Sequence, residues 1–197
     1  MMTTGRTGFR RVALAVALVS AACSSAAEPE EPPLFSEYFE GGLGQWTGRV
    51  TGHHAQIVPD PLNSGNSVVN FTRTVAAGDL FSVALALDVD VAYTLTFDYL
   101  GLPQAGSLPN NLGGFLGISD EIPGDHFWLY GPAANTAEHL RDLIEDGSWH
   151  SYSVTFTPSA LITTTGGDFR IMIEDGEGAG SLPGDAYFDN IELRNAN

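Results

Sequence analysis

Three ring-bearing side chains alternate along one short segment of the chain: His126, Trp128 and Tyr130. Phe127 and Leu129 occupy the positions between them. Because successive side chains of a β-strand point to opposite faces, this pattern predicts that Phe127 and Leu129 face the core and that the three rings face outward. Sugar-binding proteins stack the C–H face of a pyranose on such rings. The segment therefore predicts a platform that binds carbohydrate.

Two further predicted strands carry groups that can hydrogen-bond sugar hydroxyls, Asp98 on one and Arg170 on the other. If these strands share one sheet with the aromatic strand, they surround the platform with polar groups. The candidate substrate-binding residues are thus His126, Trp128, Tyr130, Asp98 and Arg170. An alternative stays open, because the segment from Gly131 to Gly147 could cover the rings, which would then only pack beneath it.

The elements that must position these groups are strands. Apolar and polar residues alternate along residues 93–99, 150–156 and 169–173, as they do in half-buried strands. Further candidates are 67–73, 80–87, 114–118, 126–130 and 187–193, and turns rich in Gly, Pro, Asn and Asp separate them. Many short strands with such turns predict an all-β, antiparallel sandwich of two sheets. Residues 135–144 fit a short helix and a strand about equally well.

The N-terminus has the composition of a secretory signal. Three arginines precede the apolar run 12–19, small residues follow, and then comes Cys23, the only cysteine. This order resembles a bacterial lipobox, so we expect a signal peptide at 1–22, a lipidated Cys23 and an extended tether at 23–33. Ordinary cleavage after Ala27 is the alternative. The protein is accordingly expected to cross the inner membrane and to remain lipid-anchored in the cell envelope or outside the cell.

The charge of the chain excludes some classes of partner. All acidic residues follow position 27, so without the leader 24 acidic side chains stand against five arginines and no lysine, a formal charge of −19. Such a surface repels phosphate backbones and anionic lipid headgroups. We therefore expect no nucleic-acid partner, and contact with a membrane only through the N-terminal anchor.

Two segments at opposite ends of the chain each place a carboxylate directly after a phenylalanine, at Phe39-Glu40 and at Phe188-Asp189. They resemble the first and last strands of galactose-binding-like β-jelly rolls, the fold of many bacterial carbohydrate-binding modules. Residues 148–157, with a Trp before an alternating strand that ends in Phe-Thr, and the Gly-x-Ser entry at 65–68 are similar to the same family. The resemblance covers about residues 35–193 and implies one jelly-roll domain over 34–197.

The resemblance also implies a structural Ca²⁺ near the paired first and last strands. Its ligands would be Glu40, Asp189 and Asn66, with loop carbonyls completing the shell. Alternatively, both carboxylates are merely exposed strand ends. The acidic run 174–177 is expected to be a solvated loop, with a second ion as the alternative, and Trp46 and Trp149 are expected in the core.

Signatures of catalysis are scarce. The chain lacks a Gly-x-Ser-x-Gly elbow and a phosphate loop, and Asp98 could face Glu174 across a cleft only if their strands were neighbours. We therefore predict a non-catalytic extracellular carbohydrate-binding module with a structural calcium ion. The alternatives are a structural or adhesive surface protein with no sugar site, favoured if Trp128 is buried, or a small glycosidase or polysaccharide lyase using His126, Tyr130 and Arg170.

Overall fold

The structure is a computed structural model that describes residues 31–49, 52–108, 111–122, 124–135, 138–163, 168–176 and 182–196. The predicted signal peptide, Cys23 and most of the predicted tether lie outside the described residues. The strands described below all belong to the compact unit Pro32–Asn197. Within the described ranges, no helix has the length and apolar character needed to cross a membrane.

The fold is built from strands. In chain order they are β1 (Phe35–Glu37), β2 (Thr47–Gly48), β3 (Ala55–Pro59), β4 (Ser67–Phe71), β5 (Leu80–Phe81), β6 (Leu85–Ala86), β7 (Tyr93–Gly101), β8 (Gly114–Ser119), β9 (His126–Pro132), β10 (Arg141–Leu143), β11 (Trp149–Phe156), β12 (Asp168–Asp175) and β13 (Ala186–Asn195). One turn of 3-10 helix follows β11 at Pro158–Ala160.

These strands form two sheets. The first sheet has the order β11-β7-β13-β4-β3, with β1 added to β13. The second has the order β10-β9-β8-β12-β5-β2, with β6 added to β12. Neighbouring strands are antiparallel apart from β9 and β10, which run parallel. The predicted all-β sandwich of the jelly-roll type is confirmed.

The core lies between the sheets and follows the alternation in the sequence. In β7, Tyr93, Leu95, Phe97 and Tyr99 are buried while the residues between them are half-buried. Facing side chains come from the other sheet: the ring centroids of Phe97 and Tyr130 are 5.1 Å apart in an edge contact. Alternating burial of this kind removes one face of each sheet from water, which is the main source of stability in a sandwich.

The first and last strands lie side by side, as the resemblance implied, but the first strand is β1 and not the segment that begins at Phe39-Glu40. That segment is a turn, in which Phe39 has a φ of 55°. Phe35 pairs with Leu193 and Glu37 with Ile191. Trp46 follows β1 and packs edge-on against the ring of Phe35, with 5.7 Å between ring centroids. Trp46 is buried in the core, as predicted.

One expectation about local structure is wrong. Trp149 is only half-buried, because the inward positions of β11 are those of Val154 and Phe156. Its indole nitrogen donates instead to both carboxylate oxygens of Asp60, at 3.1 Å each. For the segment 135–144, where a helix and a strand were both open, the described residues contain a strand, β10, at Arg141–Leu143.

Candidate functional site

A bulge in β9 separates the three rings that the sequence placed on one face. Trp128 pairs with Gly117 and Tyr130 with Leu116, so β9 has one residue more than β8 between consecutive pairs. The extra residue turns both Leu129 and Tyr130 toward the inter-sheet core. Tyr130 is only 3% exposed, and its hydroxyl donates to the carbonyl of Ser153 at 3.0 Å. The prediction that Tyr130 faces outward is therefore wrong.

Trp128 does lie on the outer face of the second sheet, but other side chains cover it. It forms a separate apolar cluster with Phe81, Phe115 and Met172 and is 8% exposed. The side chain of a residue larger than glycine at position 117 would lie 2.9 Å from the indole ring, so Gly117 provides the space that the ring occupies. The expected open platform is thus replaced by a packed floor with the ring of His126 beside it, 5.8 Å from Trp128 between centroids.

A cavity of about 510 Å³ opens on this floor. We call it the aromatic cavity; its lining residues are Ala76, Ala77, Phe115, His126, Phe127, Trp128, Asn135, Glu138 and Glu174. His126 and Glu138 are exposed, whereas Glu174 and Phe115 are buried. Aromatic rings and convergent polar groups in one concave site are what a small polar ligand requires.

Glu174 is the most unusual group in the aromatic cavity. It is 3% exposed and accepts a hydrogen bond from the main-chain N–H of Gly78. Burial raises its pKa to about 8, with smaller upward contributions from Asp79 and Glu138, against the lowering effects of the Gly78 bond and the Arg49 charge. At neutral pH the carboxyl is therefore mostly protonated and can donate a hydrogen bond.

One wall of the aromatic cavity is held by Arg49. Its guanidinium donates to the carbonyl oxygens of Ala76 and Gly78, each at 2.5 Å, and also to that of Ala77. These bonds fix the segment 76–78 against the end of β12, where Glu174 lies. A rigid wall lowers the entropic cost of ordering the cavity around a ligand.

The acidic run 174–177 is not the solvated loop that the sequence indicated. Glu174 and Asp175 belong to β12 and are buried at 3% and 0% exposure. Glu177 lies outside the described residues. The apolar strand before them continues through both carboxylates, so the strand ends later than its composition suggested.

The other predicted sugar-binding residues are divided between the sheets. Arg170 shares the second sheet with His126, and both pair with Ser119 of the intervening strand β8. Its guanidinium donates to the carbonyl of Ser82 at 2.8 Å. Asp98 belongs to β7 of the first sheet, where its carboxylate accepts from the amide of Asn190 at 2.6 Å. Asp98 therefore does not border the aromatic cavity.

The same placement bears on catalysis. Asp98 and Glu174 lie in different sheets, so they are not the facing pair that a glycosidase would need. Tyr130 points into the core, so it does not converge with His126 and Arg170 on open space. Neither of the two catalytic arrangements considered from the sequence is assembled.

The predicted calcium ligands do come together beside the paired end strands. The amide nitrogen of Asn66 donates to Asp189 at 2.9 Å, and the main-chain N–H of Ser67 donates to Glu40 at 3.2 Å. Burial raises the pKa of Asp189, and the charges of Asp98 and Glu40 raise it further. Carboxylate and amide oxygens are suitable calcium ligands. Across the described residues, however, no three His, Cys, Asp or Glu side chains are grouped closely enough to hold a metal ion.

Of the residues that line the aromatic cavity, the sequence predicted only His126 and Trp128 as sugar-binding; it missed the others, among them Phe115, Asn135 and Glu138. The sequence did contain a signal for Phe115. It lies in a glycine-rich strand, and by the alternation of side chains it faces the side opposite to Leu116. A ring there lies over Gly131 and Gly176, where any side chain would come within 2.6 to 2.8 Å of it. The sequence contained no such signal for Asn135 and Glu138. Their segment fitted a helix and a strand equally well, so the direction of their side chains could not be predicted.

Comparison with solved structures places this fold among known modules. The CBM22-1 xylan-binding domain of Paenibacillus barcinonensis Xyn10C superposes with a TM-score of 0.54 at 16% identity, covering 83% of this chain and 94% of that one. The CBM22-2 xylan-binding domain of the same xylanase gives 0.53 at 14%, covering 83% and 99%. The chain has the β-jelly-roll fold of carbohydrate-binding modules.

A third structure, the CBM22-1-GH10 modules of Clostridium thermocellum Xyn10B complexed with xylohexaose, gives a TM-score of 0.53 at 14% identity, covering 85% of this chain and 29% of that one. At these identities the likeness establishes the fold alone. None of the protein-family models matches this sequence, and none of the curated proteins does.

Proposed function

We propose that this carbohydrate-binding-module fold is a non-catalytic, extracellular module that binds a polysaccharide or a cell-surface glycan in the aromatic cavity. The observation that carries the proposal is the cavity itself, in which Trp128 and Phe115 form an apolar floor between two carboxyl groups. Because two xylan-binding domains and a module solved with xylohexaose share the fold, β-linked xylan is the first glycan to test.

The polar groups of the cavity complement each other chemically. The protonated carboxyl of Glu174 can donate to a sugar oxygen, and the carboxylate of Glu138 can accept from a hydroxyl. The amide nitrogen of Asn135 donates to Glu138 at 2.8 Å and orients it. A sugar offers hydroxyls as both donors and acceptors and an apolar C–H face, so it can satisfy these groups together.

One observation favours the structural or adhesive alternative. Trp128 is buried by its neighbours, and burial of this ring was expected in a protein without a sugar site. The alternative predicts that the unaltered protein binds no glycan, and that variants of the exposed cavity residues behave in the same way.

Binding to insoluble xylan and to xylo-oligosaccharides, by pull-down and by calorimetry, tests the proposal. His126→Ala removes an exposed ring from the cavity and is expected to weaken binding about tenfold, a loss typical of a contributing interface side chain. The matched control is His150→Ala, since His150 lies on β11 of the other sheet. Retention that is equal for both variants, or no retention of any polysaccharide by the unaltered protein, would remove the aromatic cavity as a sugar site.

Absence of catalysis is tested in the same samples. The protein is incubated with each retained polysaccharide, and new reducing ends and unsaturated products are measured over days. We expect neither. If the unaltered protein forms such products and Glu174→Gln does not, the protein is instead a glycosidase that uses the buried carboxyl group.

The proposal includes a structural Ca²⁺ held by Glu40, Asp189 and Asn66, whose oxygens lie beside the contact of β1 with β13. It also includes secretion across the inner membrane and attachment through lipid on Cys23, supported by the apolar run and small residues that precede this cysteine.

Attachment through lipid on Cys23 predicts that the protein is found in the membrane fraction. Mass spectrometry of the membrane fraction is expected to detect diacylglyceryl on Cys23, and Cys23→Ser is expected to leave the protein either unprocessed or soluble. An unmodified N-terminus at Glu28 in the soluble fraction would show ordinary cleavage instead. Ser25→Cys, added to Cys23→Ser, is a control that restores a cysteine at the wrong position.

A further inference from the structure

A second acidic cluster is buried at one end of the sandwich. It consists of Tyr99 near the end of β7, Glu145 after β10, Asp175 at the end of β12 and Asp185 before β13. Tyr99, Asp175 and Asp185 are 0% exposed and Glu145 is 8% exposed. We call these four residues the acidic end cluster. They join elements of both sheets and share no residue with the aromatic cavity or with the pair of Glu40 and Asp189.

Several oxygen atoms of the acidic end cluster have no hydrogen-bond partner among the described residues. Glu145 accepts from the N–H of Leu112 with one carboxylate oxygen, at 3.1 Å. Asp185 accepts from the N–H of Leu182 with one oxygen, at 3.0 Å. The second oxygen of each carboxylate and the hydroxyl of Tyr99 have no hydrogen-bond partner among the described residues. A buried polar atom without a partner is costly, about 1–3 kcal/mol each, so we expect an ion or ordered water to pair with these three atoms.

All three carboxyl groups act electrostatically on Tyr99, but they are not grouped closely enough for all three to hold one metal ion, so only Glu145 and Asp185 are considered as its ligands. The pKa of Tyr99 is raised well above its ordinary value, chiefly by burial and then by the charges of Glu145, Asp185 and Asp175. The charge of Glu145 also raises the pKa of Asp185. Neither Glu145 nor Asp185 forms an ion pair with a basic side chain in the described part of the chain. Burial raises the pKa of Glu145 and that of Asp185 to about 7, so ionising either carboxyl group at neutral pH costs free energy unless a counter-charge binds beside it.

We propose that Glu145 and Asp185 bind a divalent cation of the calcium type at this end of the sandwich. The available donors are all oxygens, which excludes the nitrogen and sulfur ligands that zinc prefers. Calcium accepts six to eight oxygens and takes main-chain carbonyls and water beside carboxylates, so two carboxylates are enough to begin a shell. Such an ion would supply the counter-charge and satisfy the remaining oxygen of each carboxylate.

Calcium binding to the purified full-length protein tests this site, after treatment with EDTA and dialysis. Because the end-strand site would also bind calcium, every protein carries Asp189→Ala. Calorimetry is expected to find one Ca²⁺ per Asp189→Ala protein, and none when Glu145→Gln and Asp185→Asn are added. Asp146→Asn, an exposed carboxylate next to Glu145, is the matched control and is expected to leave binding unchanged.

A variant that fails to fold would not obscure the result. Glu145→Gln alone, in the Asp189→Ala background, is expected to weaken Ca²⁺ binding at least tenfold. In EDTA the same variant is expected to melt no lower than its parent, since a neutral amide replaces an uncompensated buried charge. If Asp189→Ala binds no Ca²⁺, or if Glu145→Gln binds it as tightly as the parent, the unpartnered oxygens hold only water and the proposal is overturned.

Discussion

The carboxyl group of Glu174 has a structural role and a ligand-binding role at the same position. It accepts from the N–H of Gly78 and so fixes the segment that Arg49 holds from the other side. Its side chain also lines the aromatic cavity. A buried acid that keeps its proton at neutral pH is destabilising only when it must ionise, so this residue links the pH of the surroundings to the stability of the cavity wall.

Glu174→Gln is expected to make the protein less sensitive to pH. The pKa of Glu174 rises from 4.5 to about 8 in the folded state, so between these values the folded state binds more protons than the unfolded state. Stability therefore falls as pH rises through this window, with a slope of up to about 1.4 kcal/mol per pH unit from this one group. Below pH 4.5 both states are protonated, so the slope vanishes and the contribution of Glu174 to stability is fully present; it is lost as the pH rises to about 8. The glutamine variant lacks it at every pH and still offers an oxygen to Gly78.

Urea denaturation at pH 5, 6.5 and 8 measures the effect. The variant is expected to gain stability relative to the unaltered protein as the pH increases. Glu121→Gln, a change at an exposed carboxylate, is the control and should give a difference that does not depend on pH. Parallel stability curves for Glu174→Gln and the unaltered protein would show that Glu174 ionises normally.

Single residues also explain where the sequence misled. Alternation along β9 correctly placed His126 and Trp128 on one face, and it failed one residue later at the bulge. A glycine inside a strand, such as Gly117, often marks a bulge, but it does not show which of the two strands carries the extra residue. The burial of Trp128 was equally invisible, because Phe81, Phe115 and Met172 reach it from three other strands.

At the scale of elements, the pairing of β1 with β13 could be predicted, whereas the division of the other strands between sheets could not. The resemblance connects the first strand to the last, but of the two Phe-carboxylate patterns only Phe188-Asp189 lies in a strand, whereas Phe39-Glu40 lies in the turn after β1. Asp98 and Arg170 have no such pattern. Their strands have the same alternation whichever sheet they join, so only long-range pairing decides that β7 and β12 lie in different sheets.

The pairing of the end strands is expected to depend on calcium. If Glu40, Asn66 and Asp189 hold the ion, it is bound by the folded state only, and a hundredfold excess of Ca²⁺ over Kd stabilises by about 2.7 kcal/mol. EDTA should therefore lower the melting temperature by roughly 5–10 °C for a domain of this size. To separate this site from the acidic end cluster, the measurement is made in a protein that carries Glu145→Gln.

Asp189→Ala, added to Glu145→Gln, is expected to abolish the remaining response to EDTA. Asp168→Ala is the control, since Asp168 is an exposed carboxylate on β12. A melting curve that EDTA leaves unchanged before Asp189 is altered would show that Glu40, Asn66 and Asp189 stabilise the end strands without an ion, through the bond from Asn66 to Asp189 alone.

For the whole molecule, the dominant electrostatic feature is uncompensated negative charge. Without the leader, 24 acidic side chains stand against five arginines. Two of these arginines do little to offset it by direct pairing, because Arg49 and Arg170 donate to main-chain carbonyls. Charges of one sign over a compact surface repel one another more in the folded state than in the expanded one, and dissolved salt screens that repulsion.

Sodium chloride is accordingly expected to stabilise the protein. Between about 10 mM and 1 M salt the screening length falls from roughly 30 Å to about 3 Å, so most repulsion between exposed carboxylates is removed. A gain of about 1 kcal/mol in the free energy of unfolding would raise the melting temperature by roughly 2–4 °C.

The melting temperature is measured in EDTA, so that bound calcium does not contribute. A variant with two exposed acids neutralised, Glu121→Gln with Asp90→Asn, is expected to start from a higher melting temperature at low salt and to gain less from added salt. If both proteins melt at the same temperature at every salt concentration, self-repulsion does not limit this fold, and the acidity serves only to keep the protein soluble.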